Sequence, residues 1–130
     1  MPPYDANLFD PPAPLASVTL RNPGTNLMSS DVPMLLDTGA DVTLIPSATL
    51  AQLKIGSVKN KSYQLIGFDG STSFAPMVQL ELIFCRRIFR GQFLLIDQAW
   101  GILGRNVLNA VALILDGPNH TWDEKHSPNA

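Results

Sequence analysis

Asp37 stands directly after three apolar residues, Met34-Leu35-Leu36. Thr38 and Gly39 follow it, then Ala40-Asp41 and a second apolar, β-branched run, Val42-Thr43-Leu44-Ile45, closed by Pro46. An ionisable side chain in such company is normally excluded from the interior. The pattern reads as a buried strand running into a turn that holds a carboxylate, with another strand leaving. Gly39 suits a sharp bend or the close approach of a ligand, and Thr38 offers a hydroxyl to satisfy buried backbone groups. A carboxylate held in this way is a candidate acid or base. Asp-Thr-Gly is also a common turn composition, so the tripeptide alone does not decide the matter. The apolar flanks favour a site.

The totals bound what such a site can belong to. The chain has 130 residues, 45% of them hydrophobic and 15% charged, with a formal net charge of −2 and one cysteine, Cys85. That length supports one core. The small negative charge gives no electrostatic reason to expect a nucleic acid or an anionic membrane as partner. Cys85 has no partner in the chain, no stretch has the length and apolarity of a membrane helix, and the N-terminus does not read as a signal peptide. A cytoplasmic location is therefore expected.

Along the chain, residues 1–16 carry Pro2, Pro3, Pro11, Pro12 and Pro14 and read as an extended arm docked through Tyr4, Leu8 and Phe9. Ser17–Arg21, Val32–Leu36 and Val42–Ile45 read as strands, and Ser47 can cap a short helix from Ala48 to Leu53. Ser62–Ile66 and Thr72–Phe84 flank the turn Gly67-Phe68-Asp69-Gly70 and predict a hairpin, with Pro76 near a free edge. Ile88–Ile96 follows as a strand. The apolar stretch Trp100-Gly101-Ile102-Leu103-Gly104 then leads into one or two helical turns over Arg105–Ala110. Ala112–Leu115 is expected to be a last buried strand, and residues 118–130 a polar, frayed tail apart from Trp122. Short strands with two brief helices indicate a mainly β, closed barrel-like domain over residues 17–117.

Three segments together resemble the retropepsin-like aspartic proteases. They are Leu35-Leu36-Asp37-Thr38-Gly39-Ala40-Asp41, the hairpin around Gly67-Phe68-Asp69-Gly70, and Ile102-Leu103-Gly104-Arg105-Asn106-Val107-Leu108. The resemblance implies a barrel-like half-site with a flap, and an aspartic endopeptidase whose catalytic pair takes one aspartate from each half. Asp37 would then be the catalytic aspartate. Thr38 would hydrogen-bond across the two-fold axis, and Gly39 would line the cleft. Ala40 and Asp41 would border that cleft, and Ile66 to Gly70 would form the flap. An Arg105–Asp41 ion pair would brace the loop. In retroviral relatives both chain ends interleave into an interfacial sheet.

Hydrolysis of an amide by water needs a base and an acid, and two close carboxyl groups that share one proton supply both. This chain has one Asp-Thr-Gly. Asp97 is followed by Gln98-Ala99, and Asp116 precedes Gly117 without the Thr. A two-fold homodimer that brings Asp37 against its counterpart is therefore expected, acting on extended peptides without a cofactor. Ala40 offers no hydroxyl to stabilise the charged carboxylate, so best activity is expected at mildly acidic pH. Phe68 and Ile66 suggest apolar side chains beside the scissile bond. The alternative is a dimeric peptide-binding module with little or no catalysis. A metal site among Asp116, His120, Asp123, Glu124 and His126 has no tight ligand spacing, and no metal is expected. Cys85 has no histidine placed by sequence to activate it, and reads as a strand residue.

Overall fold

The computed structural model describes residues 1–56, 62–66 and 70–126. Nine strands and two short helices are found among them: β1 Leu15–Arg21, β2 Met28–Leu36, β3 Leu44–Pro46, α1 Thr49–Leu53, β4 Ser62–Ile66, β5 Thr72–Phe84, β6 Arg87–Ile96, β7 Gly101–Leu103, α2 Arg105–Leu108, β8 Leu113–Asp116 and β9 Thr121–Glu124. The fold is mainly β.

Alternation of side chains explains the core. In β1, Ala16, Val18 and Leu20 face inward and are essentially buried, while Ser17 faces out. Met34, Ile45, Val78, Leu80, Leu82, Leu103 and Val107 complete one apolar interior, closed at one end by Trp122. The strand order is β1-β2-β7-β3-β6-β5-β4, and β1 also pairs with β5 through Thr19–Ile83, Leu20–Leu82 and Arg21–Glu81. Six strands thus close into a barrel, with β4 added as the outer arm of a hairpin on β5. Closure leaves few exposed sheet edges. Pro76 lies opposite Ser62 of β4, just before β5 begins to pair with β6 at Met77. A residue without a backbone donor is tolerated where the ladder changes partner.

Two crossings matter for the site. β2 runs parallel to β7 (Met34–Gly101, Leu35–Ile102, Leu36–Leu103), and β3 runs parallel to β6 while touching β7 at Leu44–Ile102. The segment between β2 and β3 therefore has to turn around the end of β7. Gly101 permits that crossing, since a Cβ there would collide with the Leu44 carbonyl and the Met34 sulfur.

Several local expectations change. The α1 N-cap is Ala48 without a side-chain cap; Ser47 contributes only its carbonyl, to the Leu50 N–H. The segment read as a frayed tail forms β9, which pairs with β8 from Leu113–Glu124 to Asp116–Thr121. Trp122 on β9 is buried against Phe84, and the N-terminal arm lies alongside β9: Trp122 N–H donates to Pro2 O and Tyr4 N–H to His120 O. The arm also docks through Phe9, edge-on to Trp100 with centroids 4.9 Å apart, whereas Leu8 is exposed. The strand at 112–115, expected to be buried, is exposed at Ile114 and Leu115. Leu113 of the same strand is half-buried against the core. Among the described residues no helix is long and apolar enough to cross a membrane.

Candidate active site

β2 delivers Asp37 to the mouth of the barrel, and backbone hydrogen bonds fix the loop that carries it. Leu36 N–H donates to Pro14 O, and Asp37 N–H donates to Leu103 O at the end of β7. Ala40 N–H returns to Asp37 O at 3.2 Å, which closes a turn. Ala40 O in turn accepts from Arg105 N–H at 2.8 Å. The loop is therefore pinned to the start of α2, across which the chain would otherwise be free to drift.

The carboxylate itself is held by one group. Gly39 N–H donates to Asp37 Oδ1 at 3.0 Å, the local pattern expected when an Asp folds its own turn. Asp37 Oδ2 has no hydrogen-bond partner among the described residues. Asp37 is half-buried, while Thr38, Gly39 and Asp41 are exposed. One oxygen thus orients the group, and the other is unengaged among the described residues.

Beneath the loop lies a small polar network. The Thr43 hydroxyl accepts from Gly104 N–H at 3.0 Å and donates to Asn106 Oδ1 at 2.6 Å, and Thr43 is almost completely buried. A hydroxyl in this position uses both of its capacities, so no buried polar atom is left unpaired there. Gly104 is required by proximity, because a Cβ would run into the backbone of Val42. Sequence reasoning assigned no role to Thr43 or Asn106. The available signal was a lone hydroxyl inside the apolar run Val42-Thr43-Leu44-Ile45.

Arg105 supports the loop, but not through Asp41. Its Nη1 donates to the Thr38 carbonyl at 2.7 Å, and no Arg105–Asp41 ion pair is formed among the described residues. Asp41 is solvated, and an exposed ion pair gains little, whereas a charge-assisted bond to a carbonyl fixes the loop directly. Of the expected flap, β4 through Ile66 and β5 from Thr72 form the predicted hairpin, and Gly70 has φ +81. The tip residues Gly67, Phe68 and Asp69 lie outside the described residues.

The remaining chemistry-bearing residues are spread apart. Asp116 bonds Asn119, His120 stacks on Tyr4, and His126 Nδ1 lies 2.8 Å from Arg86 Nη2. No group of three His, Cys, Asp or Glu that could hold a metal occurs among the described residues. Cys85 sits in the β5–β6 turn with φ +52, and burial, with the nearby Glu124 carboxylate, pushes its thiol up to about 12. At neutral pH it is a protonated thiol, not a nucleophile.

A half-exposed aspartate at the end of a barrel strand, braced by a glycine-led helix on the opposite crossing, is the arrangement to compare with known proteins. The family model of the retroviral aspartyl protease matches residues 12–116. The chain belongs to that family. Among solved structures it is similar to the EIAV protease complexed with the inhibitor HBY-793, with 24% sequence identity and a TM-score of 0.55. That match covers 75% of this chain and 86% of the viral one, and it supports the fold. No curated protein sequence matches this one.

Proposed function

We propose that this retroviral-type aspartyl protease domain is an endopeptidase that cuts extended polypeptides with a water held between Asp37 and Asp37 of a second copy. The observation that carries this reading is the Asp37 carboxylate: Gly39 fixes one oxygen, and the other has no partner among the described residues. A single chain has one such group. A two-fold axis beside Thr38 supplies the second, since a residue on the axis meets itself.

In the pair, one carboxyl is protonated and one ionised, because two adjacent carboxylates cannot both ionise cheaply. The ionised member takes a proton from water as it attacks the peptide carbonyl, and the protonated member gives its proton to the carbonyl oxygen. As the C–N bond breaks, the carboxyl that took the water proton gives it to the leaving nitrogen, and one hydroxyl of the intermediate returns its proton to the other carboxylate, which restores the shared proton. Thr38 joins the two loops across the axis, and Gly39, Ala40 and Asp41 border the cleft. The hairpin of β4 and β5 lies over an extended substrate and bonds its backbone as an added strand.

The test is peptide-library cleavage by the wild type beside Asp37→Asn. Cleavage by the wild type that the variant abolishes, with peptide binding kept, supports the reading. Binding without cleavage by the wild type overturns it in favour of a peptide-binding module.

A further inference from the structure

Charge is unevenly spread over this chain. Its formal net charge is −2, with nine lysines and arginines in all. Three of them, Arg86, Arg87 and Lys125, line one hollow of about 370 Å³ together with Glu124 and His126. Glu124 is the single carboxylate in that lining, so the hollow holds a surplus of positive charge on a protein that is otherwise acidic. Its walls come from three places: the turn between β5 and β6, the end of β9, and the stretch that follows α2. Lys125 N–H donates to Ala112 O at 2.8 Å, which ties the second to the third.

The three cations are held differently. Arg86 Nη2 donates to His126 Nδ1 at 2.8 Å and lies 3.6 Å from Glu124 Oε1, which fixes it in the wall. Arg87 and Lys125 are exposed, and their side chains form no ion pair among the described residues. The turn that presents the two arginines is itself unusual. Phe84 pairs with Arg87, which leaves Cys85 and Arg86 as a two-residue loop with φ +52 and +60. Such loops favour Asn and Gly, because a Cβ strains that conformation. An arginine stands where the backbone favours a smaller residue, and it lines the hollow.

Two uncommitted cations beside a fixed third suit carboxylates, several of them close together. We propose that this hollow docks an acidic segment of a polypeptide substrate, remote in sequence from the bond that is cut; this rests on the endopeptidase reading above. A long polyanion such as a nucleic acid fits less well, because its charge continues past the hollow over a surface that is net negative. A few adjacent Asp or Glu residues meet the local surplus alone, within the roughly 8 Å that physiological salt leaves unscreened. The hollow begins at Asn109, directly after α2, and the first residue of α2 holds the Thr38 carbonyl through Arg105 Nη1. Four helical residues rise about 6 Å, so the docking site is separate from the cleft yet fixed relative to it.

Binding and cleavage test this separately. The binding probe is a fluorescein-labelled Gly-Ser peptide carrying six glutamates, beside the same peptide with six glutamines, read by fluorescence anisotropy. The wild type should bind the glutamate peptide alone, and more weakly as salt is raised. Arg87→Gln combined with Lys125→Gln should lower that affinity by at least about fivefold, and Arg87→Lys combined with Lys125→Arg should keep it. Both positions are exposed, so circular dichroism should show the fold retained. In cleavage, a peptide that the wild type cuts should gain a several-fold lower KM from a Gly-Ser linker and glutamate tail, at unchanged kcat. The double glutamine variant should cut the untailed peptide as the wild type does and gain nothing from the tail. Equal binding of the two probes by the wild type, or no change in the double variant, overturns the docking site. Tighter binding of a single-stranded RNA of the same charge overturns it in favour of a nucleic acid, and a tail that leaves KM unchanged overturns the link to substrate. Binding of the glutamate peptide by a wild type that cuts no peptide overturns the endopeptidase reading and leaves a site for acidic polypeptides standing.

Discussion

Two carboxylates in this barrel are held in opposite ways. Glu81, on β5, has a nearly buried side chain with both oxygens engaged: Arg21 Nε meets Oε1 at 2.7 Å and Arg90 Nε meets Oε2 at 2.6 Å. The Arg21 hydrogen bond, helped by Arg90 and opposed by desolvation, holds the Glu81 carboxyl below the ordinary glutamate range. Asp37 meets no cation among the described residues and is oriented by a single backbone N–H. A charge clamped on all sides contributes to the fold and can do nothing else. A charge with one free oxygen contributes little to the fold and is available for proton transfer. The same functional group is made structural or reactive by how many of its lone pairs the protein occupies.

The largest break in this contrast should come from Asp37→Asn. Peptide hydrolysis should fall by about 10⁴-fold or more, in the range seen when a catalytic side chain is removed. The melting temperature should stay near that of the wild type, as checked by calorimetry on the same samples. Glu81→Gln should do the reverse: a clear loss of melting temperature, with little direct effect on turnover in the molecules that remain folded.

Gly104→Ala comes next. Its methyl must displace the Val42 backbone, a rigid neighbour, and a cost of about 3 kcal/mol is expected from overpacking. Chemical denaturation should show it, together with loss of activity as the Asp37 loop shifts. Thr43→Val keeps the shape but strands Gly104 N–H, and should cost about 1–3 kcal/mol. Thr43→Ser should restore most of the loss, because the hydroxyl is what the network uses.

The smallest effect is on acid stability. Because the folded-state value of Glu81 is lowered, its contribution is complete above the ordinary glutamate range and disappears as pH falls through the lowered folded value. Denaturation midpoints measured from neutral to acid pH should therefore fall less steeply in Glu81→Gln than in the wild type. Parallel curves would show that Glu81 is not the group responsible.

The parts of the molecule legible in the sequence were those with local patterns. Alternation in residues 17–21 located β1, and the two glycines at 67 and 70 located the hairpin between β4 and β5. The run ending at Asp37 and the Gly104-Arg105-Asn106 turn were recognisable separately, and the barrel brings them together. What was not legible depended on partners remote in sequence. Arg105 chose the Thr38 carbonyl over the Asp41 carboxylate because the loop turns its backbone, not that side chain, toward α2. The tail became β9 by pairing back on β8, and the N-terminal arm then bridges to it at Pro3–Thr121, a contact that no local pattern announces. Leu113-Ile114-Leu115 read as core because an apolar run usually is. An uncovered strand edge has the same composition.

Late-arriving partners also set when the Asp37 loop is braced. The Thr38 carbonyl waits for a guanidinium 67 positions later, and the Thr43 hydroxyl for a backbone N–H 61 positions later. A chain still emerging from the ribosome therefore carries its aspartate on an unbraced loop. The loop takes its braced shape only once Gly104 and Arg105 are in place, so the stretch that carries Asp37 is completed by residues made long after it.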